Sequence, residues 1–337
     1  MPSALKLIKR FRPACIALVA LRSYLDRKKY HGGDISALGG ATTVHRPLAE
    51  SVAYIEASFA DFNRYADLSP AAVSGKAMVE LGPGDNLGIG LLYMAWGAAS
   101  YTGMDRFYST HDVVREKEIY LALRETLAED ERRRFDDAVD LSGGVKFNEA
   151  KIRYHYGTAA EDCDQPLPAS SIDIVLGRGV LQATDIHRSL PAIHRLLKPG
   201  GITCHKVELR DLGMFSHNNY HPLEFLTLRD STYRWMVEGA DRPNRRHIHD
   251  YRKLLAELGF ESTIRIACVI DPTLSGYPDD YLEVLPHKEK ITLGADYKQA
   301  SLDLVRAIRP RLDPHFRGLS DEELMAAGIF FTAKKRA

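Results

Sequence analysis

Cysteine is scarce in this 337-residue chain, and its four copies follow no recognisable spacing. Cys15, Cys163, Cys204 and Cys268 form no Cys-x-x-Cys pair, the spacing shared by many zinc sites and redox-active dithiols. Such scattered cysteines also do not resemble the disulfide framework of a small secreted protein. We therefore expect reduced thiols, a cytoplasmic protein and no metal site.

An excess of charge of either sign is absent as well. Lys plus Arg and Asp plus Glu number 45 each, so the chain as a whole has no attraction to nucleic acid or to acidic partners. The hydrophobic fraction of 45% and the charged fraction of 27% are ordinary for a globular protein. Neither an internal repeat nor a low-complexity tract is present. This length fits one large domain or two modest ones.

Long apolar runs are missing from the N-terminus. Pro13 to Leu21 is apolar for nine residues, whereas a helix needs about 20 to span a bilayer, and no signal-peptide cleavage pattern follows it. The first 30 residues carry eight Lys or Arg against a single acid, Asp26. Two interpretations stay open: a basic amphipathic helix in peripheral contact with an anionic membrane, and a helix packed on the domain or on a second subunit of a homo-oligomer. The second is favoured.

A glycine turn followed by an acid is the most informative feature of the chain. Ala77–Val79 predicts the end of a buried strand, and the residues from Glu80 to Gly88 then read ELGPGDNLG. Ile89 to Ala99 predicts a buried helix, and the next strand-like run ends at Asp105. Glycines let a ligand approach the backbone, and a carboxylate about 20 residues later can accept hydrogen bonds from ribose hydroxyls. The pattern indicates a nucleoside-containing cofactor.

The spacing around this turn discriminates between cofactors. A dinucleotide site usually has glycines as G-x-G-x-x-G, whereas here Gly82, Gly84 and Gly88 are flanked by the acids Glu80 and Asp85. Negative charge suits a ligand with sulfonium and ammonium groups better than a pyrophosphate. The turn resembles the first motif of the class I S-adenosylmethionine-dependent methyltransferases, with Asn86 where a third glycine often stands.

Later segments resemble the same family in the same order. Ile152–Tyr156 predicts a third strand, Leu167–Leu176 a turn and fourth strand, and Ile202–Leu209 a fifth strand after a helix that Pro199 and Gly200 would end. The resemblance implies an α/β fold: a seven-stranded, mostly parallel, doubly wound sheet that binds S-adenosylmethionine at the carboxyl ends of its strands. It also implies the cofactor-binding residues Glu80, Gly82, Pro83, Gly84, Asp85, Asn86, Asp105, Arg106, Ala159, Ala160, Glu161, Arg178 and Gly179.

The rest of the chain is assigned by periodicity. We expect a helical extension over residues 1–70, including a helix within 45–70 that precedes the first strand. The methyltransferase domain would occupy 71–337. Within it we expect insertions near 106–150, 210–250 and 271–328, helices at 113–135, 250–258 and 297–308, a sixth strand at 261–270 and a seventh at 329–333.

Polar residues after the fifth strand are the catalytic candidates. His217 and His221 stand where a general base would meet the transferred methyl group, and Asp211 could orient one of them. Turn capping explains the same residues equally simply. Tyr220, Asn244 and Arg245 are candidate substrate contacts, because an arginine can clamp a carboxylate or phosphate. Arg245 could instead pin its own loop.

The acceptor class follows partly from what is absent. The chain has neither an Asn/Asp-Pro-Pro-aromatic tetrad nor a Pro-Cys pair, the motifs of adenine-amino and pyrimidine-C5 methylation. The absence of these motifs and the zero net charge both argue against a nucleic-acid partner. We expect methyl transfer to a hydroxyl or amine of a small molecule or glycan. The alternative is a protein that binds S-adenosylmethionine without transferring its methyl group.

Overall fold

The central sheet is built from strands whose alternate residues are buried on opposite faces. In β2 (Ala77–Leu81), Val79 and Leu81 join one hydrophobic cluster, while Met78 joins the cluster on the other face. Strands buried on both faces read as continuous apolar runs, as expected for a parallel sheet covered by helices. The computed structural model describes residues 8–33, 36–37, 43, 46–109, 111–271, 281–292 and 294–337.

The main sheet has eight strands in the described part of the chain, in the order β11-β10-β12-β9-β8-β2-β3-β7. The five strands from β9 to β7 are parallel, and β12, β10 and β11 add antiparallel pairs. Besides β2, the strands are β3 (Ser100–Asp105), β7 (Ile152–Tyr156), β8 (Ile172–Arg178), β9 (Leu197–Glu208), β10 (Phe260–Ile270), β11 (Tyr281–Lys288) and β12 (Ala326–Lys335). The short β1 (Ser36–Ala37) pairs with β4 (Tyr108–Ser109), and β5 (Val139–Asp140) with β6 (Lys146–Phe147).

Helices cover both faces of this sheet, which confirms the predicted α/β class. On one face lie α2 (Leu48–Tyr65), α4 (Gly88–Ala95), α5 (Val113–Glu125) and α6 (Glu129–Ala138). On the other lie α7 (Ile186–Leu196), α8 (Asp230–Val237), α9 (Ile248–Glu257) and α10 (Gln299–Ile308). The N-terminal α1 (Arg12–His31) and the short α3 (Pro70–Val73), α11 (Pro314–Arg317) and α12 (Asp321–Met325) complete the described helices.

The expected strand count of seven is wrong, because β11 adds an eighth strand at the sheet edge. It falls within the stretch 271–328 that the sequence pattern assigned to a connection. Pro286 lies inside β11, and a proline within a short run argues against a strand. An edge strand tolerates proline because one side of its backbone has no strand to pair with. Residues 272–280 and 293 of this stretch lie outside the described residues.

Two predicted helices also differ in their bounds. The expected helix at 113–135 is two helices, because the chain leaves α5 after Glu125 and restarts at Glu129. The helix expected to end at Pro199 and Gly200 ends at Leu196. Gly200 has φ of +77° and lies where the register between β8 and β9 shifts. It therefore accommodates a β-bulge and does not end a helix.

Helix α1 packs against the domain through one face. Arg12 Nε donates to Glu224 Oε1 over 2.7 Å, and Arg242 Nη2 donates to Asp26 Oδ2 over 3.2 Å. Cys15 and Ser23 are buried in the same contact. Lys6 of the basic segment lies outside the described residues.

Neither a membrane-spanning helix nor a metal-binding cluster is present within the ranges described above. No helix there is both long and apolar enough to cross a bilayer. Those same ranges contain no cluster of three or more His, Cys, Asp or Glu side chains that could hold a metal ion.

Candidate functional site

The turn after β2 requires glycine at two positions. Gly82 and Gly84 have φ of +71° and +76°, in the left-handed region that other residues rarely adopt. The Gly82 N–H donates to Met104 O over 2.7 Å and fastens the turn to β3. A Cβ atom at Gly82 would lie 2.3 Å from Val180 Cγ2, so the turn also packs tightly against the loop after β8.

Asp105 lies at the carboxyl end of β3, directly beside this turn. The Phe107 N–H donates to Asp105 Oδ1 over 3.2 Å. Burial raises the pKa of Asp105 to about 6, against the lowering effect of backbone hydrogen bonds from Phe107, Gly84 and Arg106. The structure therefore brings the glycine turn and the carboxylate together, as the sequence predicts.

Glu80 lies beneath the turn and is 3% exposed. Its carboxylate accepts a hydrogen bond from the Tyr101 hydroxyl. Burial raises the pKa of Glu80 to about 7, although the Tyr101 hydrogen bond opposes the shift. Its side chain thus connects β2 to β3 inside the protein.

The raised pKa of Glu80 predicts a pH-dependent stability. The folded state holds the Glu80 proton up to about pH 7, whereas an unfolded glutamate releases it near pH 4.5. Because the folded state binds more protons in this window, stability is complete below about pH 4.5 and falls as pH rises toward 7. We expect wild type to lose about 3 kcal/mol more than Glu80→Gln between pH 4.5 and 7.5. Urea unfolding at both pH values measures this, and equal losses in the two proteins would contradict it.

Asp85 and Asn86 organise the backbone around the turn. Asp85 is fully buried and accepts hydrogen bonds from Thr43 N over 2.9 Å and from Asn86 Nδ2 over 3.2 Å. Asn86 Oδ1 accepts from Gly88 N over 2.9 Å, at the start of α4. Asparagine at the third-glycine position therefore supplies a hydrogen bond to one of the free N–H groups at a helix N-terminus.

A cavity of about 670 Å³ opens beside the carboxyl ends of β3 and β7. Three of the predicted cofactor residues, Arg106, Ala159 and Glu161, line it, while Ala160 is buried next to them. Gly157 and Thr158, at the start of the same run after β7, line it as well, and its wall also contains residues that the sequence analysis missed: Tyr30, Phe107, Asp162, Gln165, Pro166 and Arg188. The size suits a nucleoside-sized ligand.

Tyr30 reaches this cavity from the C-terminal end of α1. Its ring stacks on Phe107 with centroids 4.4 Å apart and an interplanar angle of 28°. Periodicity could not predict this contact, because the two residues are 77 positions apart and neither belongs to a motif.

Helix α1 extends from the loop after β3 to the loop after β9. Near the N-terminal end of α1, Cys15 Sγ contacts Met214 O at 3.5 Å. Fifteen helical residues separate Cys15 from Tyr30, a distance of about 22 Å. Both loops lie at the carboxyl edge of the sheet, with β8 and β2 between their strands. The helix therefore runs along the edge where the candidate cofactor residues meet.

Arg178 is the last residue of β8, and Gly179 follows it at the same edge of the sheet. Arg178 Nη1 donates to Asp61 Oδ2 over 3.0 Å and its guanidinium lies 5.5 Å from the centre of the Tyr54 ring, so it is tied to α2. Gly179 has φ of +73°, and its N–H donates to Lys206 O over 3.0 Å. Arg178 thus holds α2 against the end of the sheet.

The carboxylate of Asp211 holds the loop after β9 together. Asp211 is 1% exposed and accepts hydrogen bonds from the N–H groups of Gly213, Phe215 and Ser216 and from Ser216 Oγ, all between 2.7 and 2.9 Å. Burial raises its pKa, against the lowering effect of these hydrogen bonds. These contacts favour the turn-capping interpretation of this residue.

The two histidines of this loop differ in their surroundings. His221 Nδ1 accepts from Leu223 N over 3.0 Å, and its Nε2 lies 3.1 Å from Leu304 O. Burial lowers the pKa of His221 to about 4, so the ring is neutral and both nitrogens bond to backbone. His217 is exposed, with its ring packed over Gly213. The geometry favours His217 over His221 as a base.

The candidate substrate residues bond mainly to neighbouring loops. Asn244 Nδ2 donates to Leu181 O and Thr184 O, and Arg245 Nη1 donates to Leu228 O over 2.8 Å. The Arg245 guanidinium also lies 4.1 Å from the Tyr233 ring centre and pairs with Asp230. The Tyr220 hydroxyl donates to Arg10 O over 2.7 Å. These contacts favour the interpretation in which Arg245 pins its own loop.

Several solved structures resemble this chain at low identity. Two are phosphoethanolamine N-methyltransferase 2 of Haemonchus contortus. One is bound to phosphomonomethylethanolamine and S-adenosylhomocysteine (14% identity, TM-score 0.41, covering 84% of this chain and 53% of that one). The other is bound to S-adenosylmethionine (15% identity, TM-score 0.42, covering 89% of this chain and 61% of that one). This chain therefore spans between half and two thirds of their length.

A third resemblance is to an S-adenosylmethionine-dependent methyltransferase of Mesorhizobium loti, at 15% identity and a TM-score of 0.38, covering 86% of this chain and all of that one. No curated protein matches the sequence. Residues 137–204, which run from the end of α6 through β7 and β8 into β9, match the family model described as a methyltransferase domain.

Proposed function

We propose that this chain is an S-adenosylmethionine-dependent methyltransferase. The observation that carries the proposal is the glycine turn of Gly82 and Gly84 beside Asp105, next to a cavity lined by Arg106, Ala159 and Glu161. The match of residues 137–204 to a methyltransferase domain supports it. The acceptor would be a hydroxyl or amine of a small molecule or saccharide, and four buried free cysteines fit a reducing cytoplasm.

The residues fit the nucleoside part of this cofactor. Asp105 would accept hydrogen bonds from the ribose hydroxyls, and the cavity walls after β3 and β7 would hold the adenine. When bound, the cofactor supplies an activated methyl group on a sulfonium. The protein must align the acceptor with that methyl group, and alignment supplies much of the rate of such a displacement.

Calorimetric titration of the purified chain with S-adenosylmethionine and S-adenosylhomocysteine tests the proposal. We expect micromolar binding of both, and formation of S-adenosylhomocysteine when candidate acceptors are added. Failure of both ligands to bind would overturn the assignment.

Binding of S-adenosylmethionine without methyl transfer is the second candidate. It is favoured by the contacts of Asp211 and His221, because both of these catalytic candidates form hydrogen bonds with loop backbone and not with a free site. A protein that binds both ligands but forms no S-adenosylhomocysteine with any acceptor would support this candidate.

Tyr30 is predicted to contribute to cofactor affinity. Tyr30→Ala removes the ring that stacks on Phe107 in the cavity wall, and we expect the Kd for S-adenosylhomocysteine to rise about three- to tenfold. Tyr24→Ala is the matched control, because Tyr24 lies on the same helix and is 51% exposed. Equal Kd values for both variants would show that α1 does not contribute to the site.

The two histidines are predicted to respond differently to substitution. If His217 is the general base, His217→Ala lowers kcat at least tenfold without changing cofactor affinity. His221→Ala should instead destabilise the fold by about 1–3 kcal/mol, because it leaves the Leu223 N–H and Leu304 carbonyl without their partners. Steady-state kinetics measures the expected loss of kcat in His217→Ala, and urea unfolding measures the expected loss of stability in His221→Ala. Normal turnover of His217→Ala would mean that positioning alone carries the reaction.

A further inference from the structure

Exposed apolar side chains are concentrated at α1, the residues just before it and the neighbouring α8. Six of the thirteen large hydrophobic residues exposed in the described part of the chain lie in these segments, with exposed fractions between 51% and 67%. They are Ile8, Phe11, Leu21, Tyr24, Leu25 and Trp235. Single exposed hydrophobics are normal on protein surfaces, whereas a contiguous group marks an interaction site.

Helical spacing places the α1 members of this group on its outer face. Leu21, Tyr24 and Leu25 recur at intervals of three and four and so lie side by side. Cys15 and Ser23, which pack on the domain, lie on the opposite side of the helix. The helix therefore buries one face on the carboxyl edge of the sheet and presents a second apolar face to solvent.

A slot of about 270 Å³ lies between the two helices. The apolar side chains of Ala17, Leu21, Tyr24 and Trp235 line it, and Arg27 stands at its edge with Glu238. Tryptophan and tyrosine are the residues that favour the boundary between lipid headgroups and acyl chains.

The charge on the α1 side of this surface is positive, and on the α8 side the exposed acids Asp230 and Glu238 pair with Arg234 and Arg27. Arg10, Arg22 and Lys28 are exposed along α1 and just before it. Asp26, the one acid among the first 30 residues, forms an ion pair with Arg242 of the domain. A partner with an apolar layer and negative charge complements such a surface.

We propose that the outer surface formed by α1 and α8 docks on an anionic lipid bilayer. A two-fold contact between two copies of the chain would bring the same cations face to face, which disfavours a dimer through this surface. A bilayer accepts the apolar side chains below its headgroups, and its anionic headgroups attract each nearby Lys or Arg. Docking is peripheral and independent of the proposed catalytic activity.

Sedimentation with vesicles tests the proposal. The full chain should bind vesicles of phosphatidylcholine with 30% phosphatidylglycerol at least tenfold more strongly than vesicles of phosphatidylcholine alone, and less strongly at high salt. Trp235 emission should shift to shorter wavelength on binding. The second tryptophan, Trp96, is partly buried against Phe59 and Tyr93 in the cluster on the other face of the sheet and should not respond. Equal binding to both vesicles, or to neither, would overturn the proposal.

A matched pair of variants separates docking from general surface effects. Leu21→Glu with Leu25→Glu should reduce binding to the anionic vesicles at least tenfold. Val113→Glu with Val114→Glu places two glutamates at an equally exposed apolar pair on α5 and should bind as wild type. Unchanged thermal melting confirms that both variants are folded. Dimerisation in solution that only the α1 variant abolishes, without vesicle binding by wild type, would assign the surface to a second copy instead.

Discussion

Gly82→Ala is expected to destabilise the protein by about 2–4 kcal/mol. Two costs add: a left-handed φ of +71° disfavours a Cβ atom, and that atom would lie 2.3 Å from Val180 Cγ2. Valine is stiff at χ1, so its methyl group cannot easily rotate away. Urea unfolding measures the change, and cofactor affinity should fall as well because the turn faces the site.

Gly75→Ala is the matched control for the conformational cost. Gly75 has φ of +73°, but a Cβ atom there meets nothing within 4 Å, so we expect a loss of about 1–2 kcal/mol. Adding Val180→Ala to Gly82→Ala should recover part of the stability lost to the clash. Adding Val180→Ala to Gly75→Ala should recover none, because no clash exists there. A Gly82→Ala variant as stable as Gly75→Ala would show that the loop after β8 is not packed on the turn.

Asp105→Ala is expected to weaken binding of S-adenosylmethionine and S-adenosylhomocysteine by about 1–3 kcal/mol, or roughly five- to 150-fold in Kd. The variant loses charged hydrogen bonds to the ribose, while the glycine turn stays fixed through the bond from Gly82 N to Met104 O. Isothermal titration calorimetry measures the change. Unchanged affinity would refute the ribose assignment.

Two comparisons sharpen this test. Asp112→Ala removes an acid seven residues away that caps α5 through Val114 and Arg115, and it should leave affinity unchanged. Because burial raises the pKa of Asp105 to about 6, its acceptor capacity should fall between pH 7.5 and 5. Wild type should therefore lose affinity over this range, and Asp105→Asn should lose less.

The sequence predicts the centre of the sheet well because that information is local. β2 and β8 contain short apolar runs, whereas β3 and β7 were located by their order after the glycine turn, as the resemblance implies. The glycine turn and Asp105 end adjacent strands, and the parallel pairing of β2 with β3 brings them together.

The sequence could not predict features that depend on which side of an element faces a neighbour. Pro286 argued against β11, and only its place at the sheet edge makes that strand acceptable. Asp211 and His221 have the residue types and chain position of a catalytic pair. The tertiary structure surrounds both with backbone donors and acceptors instead.

The resemblance carried by short motifs supplied the α/β class, and local pattern by itself determined the central strands and the glycine turn with its acid, because each of these features depends on residues close together in the chain. Only the tertiary structure decided the course of α1. Packing against loops more than 70 residues away lays that helix along the carboxyl edge, places Tyr30 in the cavity wall and leaves Leu21, Tyr24 and Leu25 outside. Such contacts depend on the folding of the whole domain, and no spacing within the first 30 residues specifies them.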